Sequence, residues 1–146
     1  HQRGCGDDAI VHWAAARGTN GARNVFIRNT GECGYMGRGI AVAGGLECLY
    51  THNLVRWGNN KHGIMLQAFR YLNKDGFCQP VERCTVTDNL ALSCGIDSAL
   101  NLDSRDNSLD ALVEKNRFIG IRGEKISRLG THPVEIRGLE NNLFEP

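Results

Sequence analysis

The sequence predicts an all-β solenoid of stacked parallel coils, about five to six in number, on three observations. A segment made of a small or polar residue, then Ile or Leu, then a further residue two positions on recurs with its anchors at Ile10, Ile40, Ile64, Leu100 and Ile126. A second segment, in which alternating apolar residues run into Asn, places that Asn at Asn29, Asn53, Asn89, Asn116 and Asn142. The two ladders keep step, including across the long intervals from Ile64 to Leu100 and from Asn53 to Asn89. Apolar alternation over about four to six residues marks a short strand with one buried face. Segments that return in one order and one direction stack in parallel, each coil burying its apolar face on the next.

Each element follows from this register. The first segment type, at 8–12, 38–42, 62–66, 98–102 and 124–128, supplies strands whose Ile40, Val42, Ile64, Leu66, Leu100 and Leu102 point inward. The second type, at 25–29, 48–54, 84–90, 111–118 and 139–144, supplies strands that end in a bend at Asn. Asn tolerates a left-handed backbone and bonds locally. Stacked on like residues, it forms an amide ladder. Eighteen Gly against three Pro fit many ordered turns rather than a low-complexity linker. The extra residues of the long interval map to one inserted loop at about 69–79. Residues 1–146 read as a single β-helix segment. With coils expected at both its ends, the segment is expected to belong to a longer helix, or to have its ends covered by an oligomer partner or another chain.

Composition narrows the partners. Seventeen Lys and Arg against sixteen Asp and Glu give a net charge of +1 and a pI near 7.8, without the basic stripe expected of a nucleic-acid binder. The longest nearly apolar stretches, 9–16 and 40–46, fall far short of the roughly 20 residues of a membrane span. Six Cys occur, none in a Cys-x-x-Cys, and no Cys/His spacing suits a structural metal. No metal and no cofactor is therefore expected. Cys48 and Cys84 occupy equivalent positions on adjacent coils, either as a buried thiol stack or as a bridge. Cys78 and Cys94 flank the insertion, and a bridge between them would point to an exported protein.

At this point the chain resembles the right-handed parallel β-helix, or pectin-lyase-like, superfamily over roughly residues 5–144. The resemblance implies a module that acts on a polysaccharide at the cell surface or outside the cell. Gly6-Asp7-Asp8-Ala9-Ile10 is similar to the paired-Asp motif of polygalacturonase-type glycosidases. Where that family carries Gly-His-Gly on the next coil, this chain has Gly37-Arg38-Gly39. The family's Asn-Thr-Asp would fall before Asp7, and its Arg-Ile-Lys has no counterpart, with His62-Gly63-Ile64 near that place.

The residue two before each anchor forms a column of Asp8, Arg38, His62, Ser98 and Glu124, flanked by Asp7, Lys61 and Asp97. Matching positions on adjacent coils lie about 4.8 Å apart. Mixed acid, base and imidazole at one corner suit a sugar acid. The candidate catalytic residues are Asp7 and Asp8 as acid or base and His62 as an auxiliary base. The candidate substrate-binding residues are Arg38 and Lys61 as carboxylate clamps, together with Asp97 and, by stacking on a sugar, Trp13. The function expected is a hydrolase, lyase or epimerase acting on an acidic glycan. The alternative is a non-catalytic structural or adhesive β-helix, such as a tailspike or surface-protein segment. Structural roles compete residue by residue. Asp7 and Asp8 are also turn formers, His62 also suits a surface turn, and His12 sits at an inward register that suits a hydrogen-bonded interior residue. Trp57 suits packing under a loop.

Overall fold

The computed structural model describes residues 2–3, 7–13, 21–32, 37–57, 61–68 and 78–146. The tip of the expected insertion, Cys5, Cys33 and several glycines lie outside the described residues.

The chain winds as a parallel β-solenoid with three strands to a coil. The first coil holds β1 (Gln2–Arg3), β2 (Ile10–Trp13) and β3 (Val25–Ile27); the second holds β4 (Thr30–Glu32), β5 (Arg38–Ala43), β6 (Gly45–Leu46) and β7 (Leu49–Thr51). The third holds β8 (Leu54–Arg56), β9 (His62–Gln67) and β10 (Val81–Thr87), and the fourth β11 (Leu90–Leu92), β12 (Ser98–Ser104) and β13 (Leu109–Glu114). Then come β14 (Arg117–Ile119), β15 (Glu124–Gly130), β16 (Val134–Arg137), a 3-10 turn at Leu139–Asn141, and β17 (Leu143–Glu145).

Like strands stack into three sheets: β1-β4-β8-β11-β14-β17, β2-β5-β9-β12-β15, and β3-β7-β10-β13-β16 with β6 on β10. Every pairing among these strands is parallel. Four turns separate the first and last strands of the second and third sheets. Among the described residues no helix is long and apolar enough to cross a membrane.

The anchors stack in the expected register. Ile10 pairs with Ile40, Ile40 with Ile64, Ile64 with Leu100 and Leu100 with Ile126. Ile40, Val42, Ile64, Leu66, Leu100 and Leu102 are fully buried in the bore. Aromatic pairs fill its wider parts, Phe26 on Tyr50 at 4.8 Å and Phe118 on Phe144 at 5.0 Å between ring centroids, within the usual range for stacked rings. His12 is an interior residue as expected, its Nδ1 2.8 Å from the Tyr50 hydroxyl and its Nε2 3.2 Å from Asn24 Nδ2.

The amide ladder is continuous. The Nδ2 of Asn29 donates to Asn53 Oδ1 at 3.0 Å, Asn53 to Asn89 at 2.9 Å, Asn89 to Asn116 at 2.9 Å and Asn116 to Asn142 at 2.9 Å. The same oxygens accept the backbone N–H of the preceding Asn at 2.9 to 3.1 Å. The second hydrogen of each inner amide closes on a core-strand carbonyl, of Phe26, Tyr50 or Val86. The left-handed residue of the bend is the one before Asn: Arg28, His52, Asp88 and Lys115 all have φ between 54 and 56°. The Asn itself is thereby free to turn its amide inward. At the C-terminal end Asn142 Nδ2 closes instead on Val113, Gly138 and Leu139 carbonyls.

Cys48, Cys78, Cys84 and Cys94 form no disulfide among the described residues. Cys48 and Cys84 form the buried stack, and burial pushes the Cys84 thiol up to about 12, so it packs as a small apolar group. Trp57, expected beneath a loop, is 57% exposed, with the Arg56 guanidinium 4.0 Å above its ring; Arg56 is itself held by Glu32 of the preceding coil.

Replacing a central ladder residue leaves buried main-chain groups without partners, each costing about 1–3 kcal/mol. Asn89→Ala is therefore expected to lower unfolding stability by about 3 kcal/mol, and Asn29→Ala, at the exposed end, by less than about 1 kcal/mol. Urea midpoints check this, and equal losses at the two positions would remove the ladder's special role.

Candidate functional site

The site is built by a kink at the entrance to the second sheet. One small residue precedes each of the first four anchors, Ala9, Gly39, Gly63 and Ala99, and Lys125 precedes the fifth. The pairing skips the small residue, so that Arg38 faces His62 and Ile40 faces Ile64. A Cβ on Gly39 would stand 2.7 Å from Val55 Cγ2 in the core. The small residue thus turns into the bore, and its predecessor is thrown to the outer face. Strict alternation would have placed Arg38, His62 and Ser98 on the same side as Ile40, Ile64 and Leu100. The kink puts them instead beside Ala41, Met65, Asn101 and Ser127.

The column begins at Asp8. Its Oδ1 accepts the backbone N–H of Arg38 at 2.7 Å and lies 3.5 Å from Arg38 Nη1. Burial raises the Asp8 carboxyl above its ordinary value, with a smaller push from Asp7, against the lowering effect of Arg38. Both carboxylates lie against Gly37, where a Cβ would collide with them. Asp7 is exposed. On the next coil, Arg38 pairs in register with His62, and His62 with Ser98.

The His62 Nδ1 lies 2.8 Å from the fully buried Ser98 Oγ. Burial lowers the imidazole to about 4, helped by the positive charges of Arg38 and Lys61 and opposed by Asp97 and Asp103. His62 is therefore neutral at pH 7. Lys61 and Asp97 are exposed at the rim, joined through the backbone by the Asp97 N–H on the Lys61 carbonyl at 2.8 Å.

The structure therefore brings Asp7, Asp8, Arg38, Lys61, His62 and Asp97 to one corner. Trp13 is 42% exposed on the same sheet but at its far end, in the row Trp13–Ala43–Gln67–Asp103. Five residues along the strand put it roughly 15 Å from Asp8, outside the cluster. The outward residues Met65, Gln67, Asn101 and Asp103 are 1 to 2% exposed, so this face is covered rather than open.

Sequence reasoning missed three features of this face. Ser127 Oγ lies 2.9 Å from Ser98 Oγ, and Asn101 Nδ2 lies 2.8 Å from Ser127 Oγ, extending the His62 contact into a four-residue line. Asp103 holds Arg105 by a two-pronged pair at 2.8 and 2.6 Å. Finally, Arg38 Nε, Gln67 Oε1 and Asn101 Oδ1 are buried without a hydrogen-bond partner among the described residues. All three belong to the outer face of this one sheet, and such groups call for a ligand, water or ion. The sequence signal for them was the placing of Ser98, Asn101 and Asp103 within one strand. Among the described residues no group of three or more His, Cys, Asp or Glu is placed to hold a metal ion.

No family model, curated protein or solved structure matches the chain, and the site is read from its own geometry.

The depressed His62 value has a definite consequence for stability. Above the ordinary value of 6.5 the imidazole is neutral folded or unfolded, and its contribution is fully present. As pH falls from 6.5 towards about 4, the unfolded chain takes up the proton first, and that contribution is lost. Asp8, raised by burial, acts in the opposite sense. His62→Gln is expected to flatten the acid side of the melting-temperature profile between those two pH values, read by thermal scans at half-unit steps. An unchanged slope contradicts the assignment.

Proposed function

We propose that the corner at the entrance to the second sheet, where Asp7, Lys61 and Asp97 are exposed, binds and processes an acidic polysaccharide. The observation that carries the proposal is the column Asp8–Arg38–His62. A carboxyl with a raised proton affinity and a neutral imidazole flank one guanidinium on three successive coils. Asp8 and His62 stand two coil spacings apart, about 10 Å along the solenoid axis, which leaves room for a sugar ring over Arg38.

Arg38 is the residue suited to a uronate carboxylate. A guanidinium matches that group with parallel N–H donors, and Arg38 stands between Asp8 and His62 in the column. Lys61 adds a second positive charge at the rim. A carboxyl that keeps its proton more readily than usual suits a general acid, which is the role assigned to Asp8, with Asp7 beside it. The acid, guanidinium and neutral imidazole at one corner support a pectin-lyase-like polysaccharide enzyme over a purely structural coil.

The test uses acidic and neutral oligosaccharides of equal length. Arg38→Met is expected to weaken binding of the acidic oligosaccharide about tenfold or more and to leave the neutral one unchanged, by calorimetry. Asp8→Asn is expected to lower turnover of the acidic glycan by about a hundredfold or more. Unsaturated products absorbing in the ultraviolet would assign a lyase, and new reducing ends alone a hydrolase. If Asp8→Asn and His62→Ala both leave every turnover intact, the site is misplaced. Absence of turnover together with SDS-resistant oligomers would favour the structural or adhesive alternative.

A further inference from the structure

The line His62–Ser98–Ser127–Asn101 has a direction. An amide nitrogen donates and does not accept. Asn101 Nδ2 therefore gives a hydrogen to Ser127 Oγ, at 2.8 Å. Ser127 passes its own hydrogen to Ser98 Oγ, at 2.9 Å. Ser98 is fully buried, has one hydrogen, and has one remaining neighbour in the line, His62 Nδ1 at 2.8 Å. That nitrogen is consequently the acceptor, and the proton of the neutral ring stands on Nε2.

We infer that Asn101, through Ser127 and Ser98, fixes His62 as the Nε2–H tautomer, so that the imidazole meets a ligand as a hydrogen-bond donor beside Arg38 and not as a base. Asn101 and Ser98 are positioning residues in this scheme; His62 is the group that touches the ligand. The Nε2 makes no hydrogen bond to the described residues. Arg38 and His62 are register partners on adjacent coils, so a carboxylate held by the guanidinium has the imidazole on the neighbouring coil. The ligand class follows from the proposed function, a uronate; the tautomer does not depend on it. Turning the Asn101 amide over reverses every step of the line and converts Nε2 into a lone-pair acceptor, so a residue on the neighbouring coil decides whether His62 donates or accepts the hydrogen bond to a ligand.

The experiment is the two-bond nitrogen–proton correlation spectrum of uniformly labelled protein at pH 7, which separates the two tautomers. The wild-type chain is expected to show His62 as a single Nε2–H form. Ser98→Ala and Asn101→Leu are each expected to give an averaged mixture, with the backbone amides of Asn53 and Asn89 unshifted as a control on the fold. A merely structural Asn101 would leave the His62 pattern unmoved. An Nδ1–H form in the wild-type chain overturns the inference even if neither variant folds, and so does an unmoved pattern in a folded Asn101→Leu. Oligogalacturonate is then added to the wild-type protein. A shift of the His62 Nε2 proton supports the donor role, and saturable binding without that shift overturns it. Failure to bind at all, with the Nε2–H form present, overturns the proposed function and leaves the tautomer assignment standing.

Discussion

The structure depends on one repeated contact, the bidentate grip of each ladder Asn on the Asn of the next coil. Each Asn Oδ1 takes both the main-chain and the side-chain hydrogen of its neighbour. A parallel coil must turn its backbone sharply, and a turn at the bore would otherwise bury main-chain groups without partners. The ladder supplies those partners from inside, at Asn53, Asn89 and Asn116, which are 0 to 1% exposed. It also fixes register, because a slip of one residue would remove the amide from its partner and turn every strand side chain to the wrong face. Columns of chemically different residues on the outer faces are the consequence. Asp8, Arg38, His62 and Ser98 meet because the interior ladder holds four coils in step.

Much of this was legible in the sequence, and for a physical reason. A solenoid repeats its constraints, so the same residue types return at each coil and two independent ladders confirm one another. The anchors Ile10 to Ile126 and the five ladder Asn were therefore readable, as were the stacked thiols of Cys48 and Cys84 and the interior role of His12. The position of the bend was misplaced by one residue. Asn was expected to take the left-handed conformation, but Arg28, His52, Asp88 and Lys115 take it. No side-chain preference marks them, because Asn's inward bonds offset the backbone cost of its predecessor.

The candidate site was legible as a set of residues but not as a surface. Period-two alternation does not reveal the kink at Ala9, Gly39, Gly63 and Ala99, since its signal is only a small side chain that fits against Val55 and its neighbours. The relay through Ser98, Ser127 and Asn101 was invisible for a related reason. Its members lie three residues apart in one strand and a coil apart in the next, and they meet only when the register is known. Trp13 shows the converse. It shares a face with Asp8 and stands at the other end of it. The same burial that lowers His62 and raises Asp8 makes the corner a place where proton affinities are set by the fold rather than by water.

Amide hydrogen exchange tests the ladder most directly. The account predicts that the backbone N–H groups of Asn53, Asn89 and Asn116, though they lie at bends between strands, exchange as slowly as those of Ile64 and Leu100 at the centre of the bore, through global unfolding alone. Exchange at the rate of the exposed bend residues His52 and Asp88 would contradict it, and with it the register on which the Asp8–Arg38–His62 column rests.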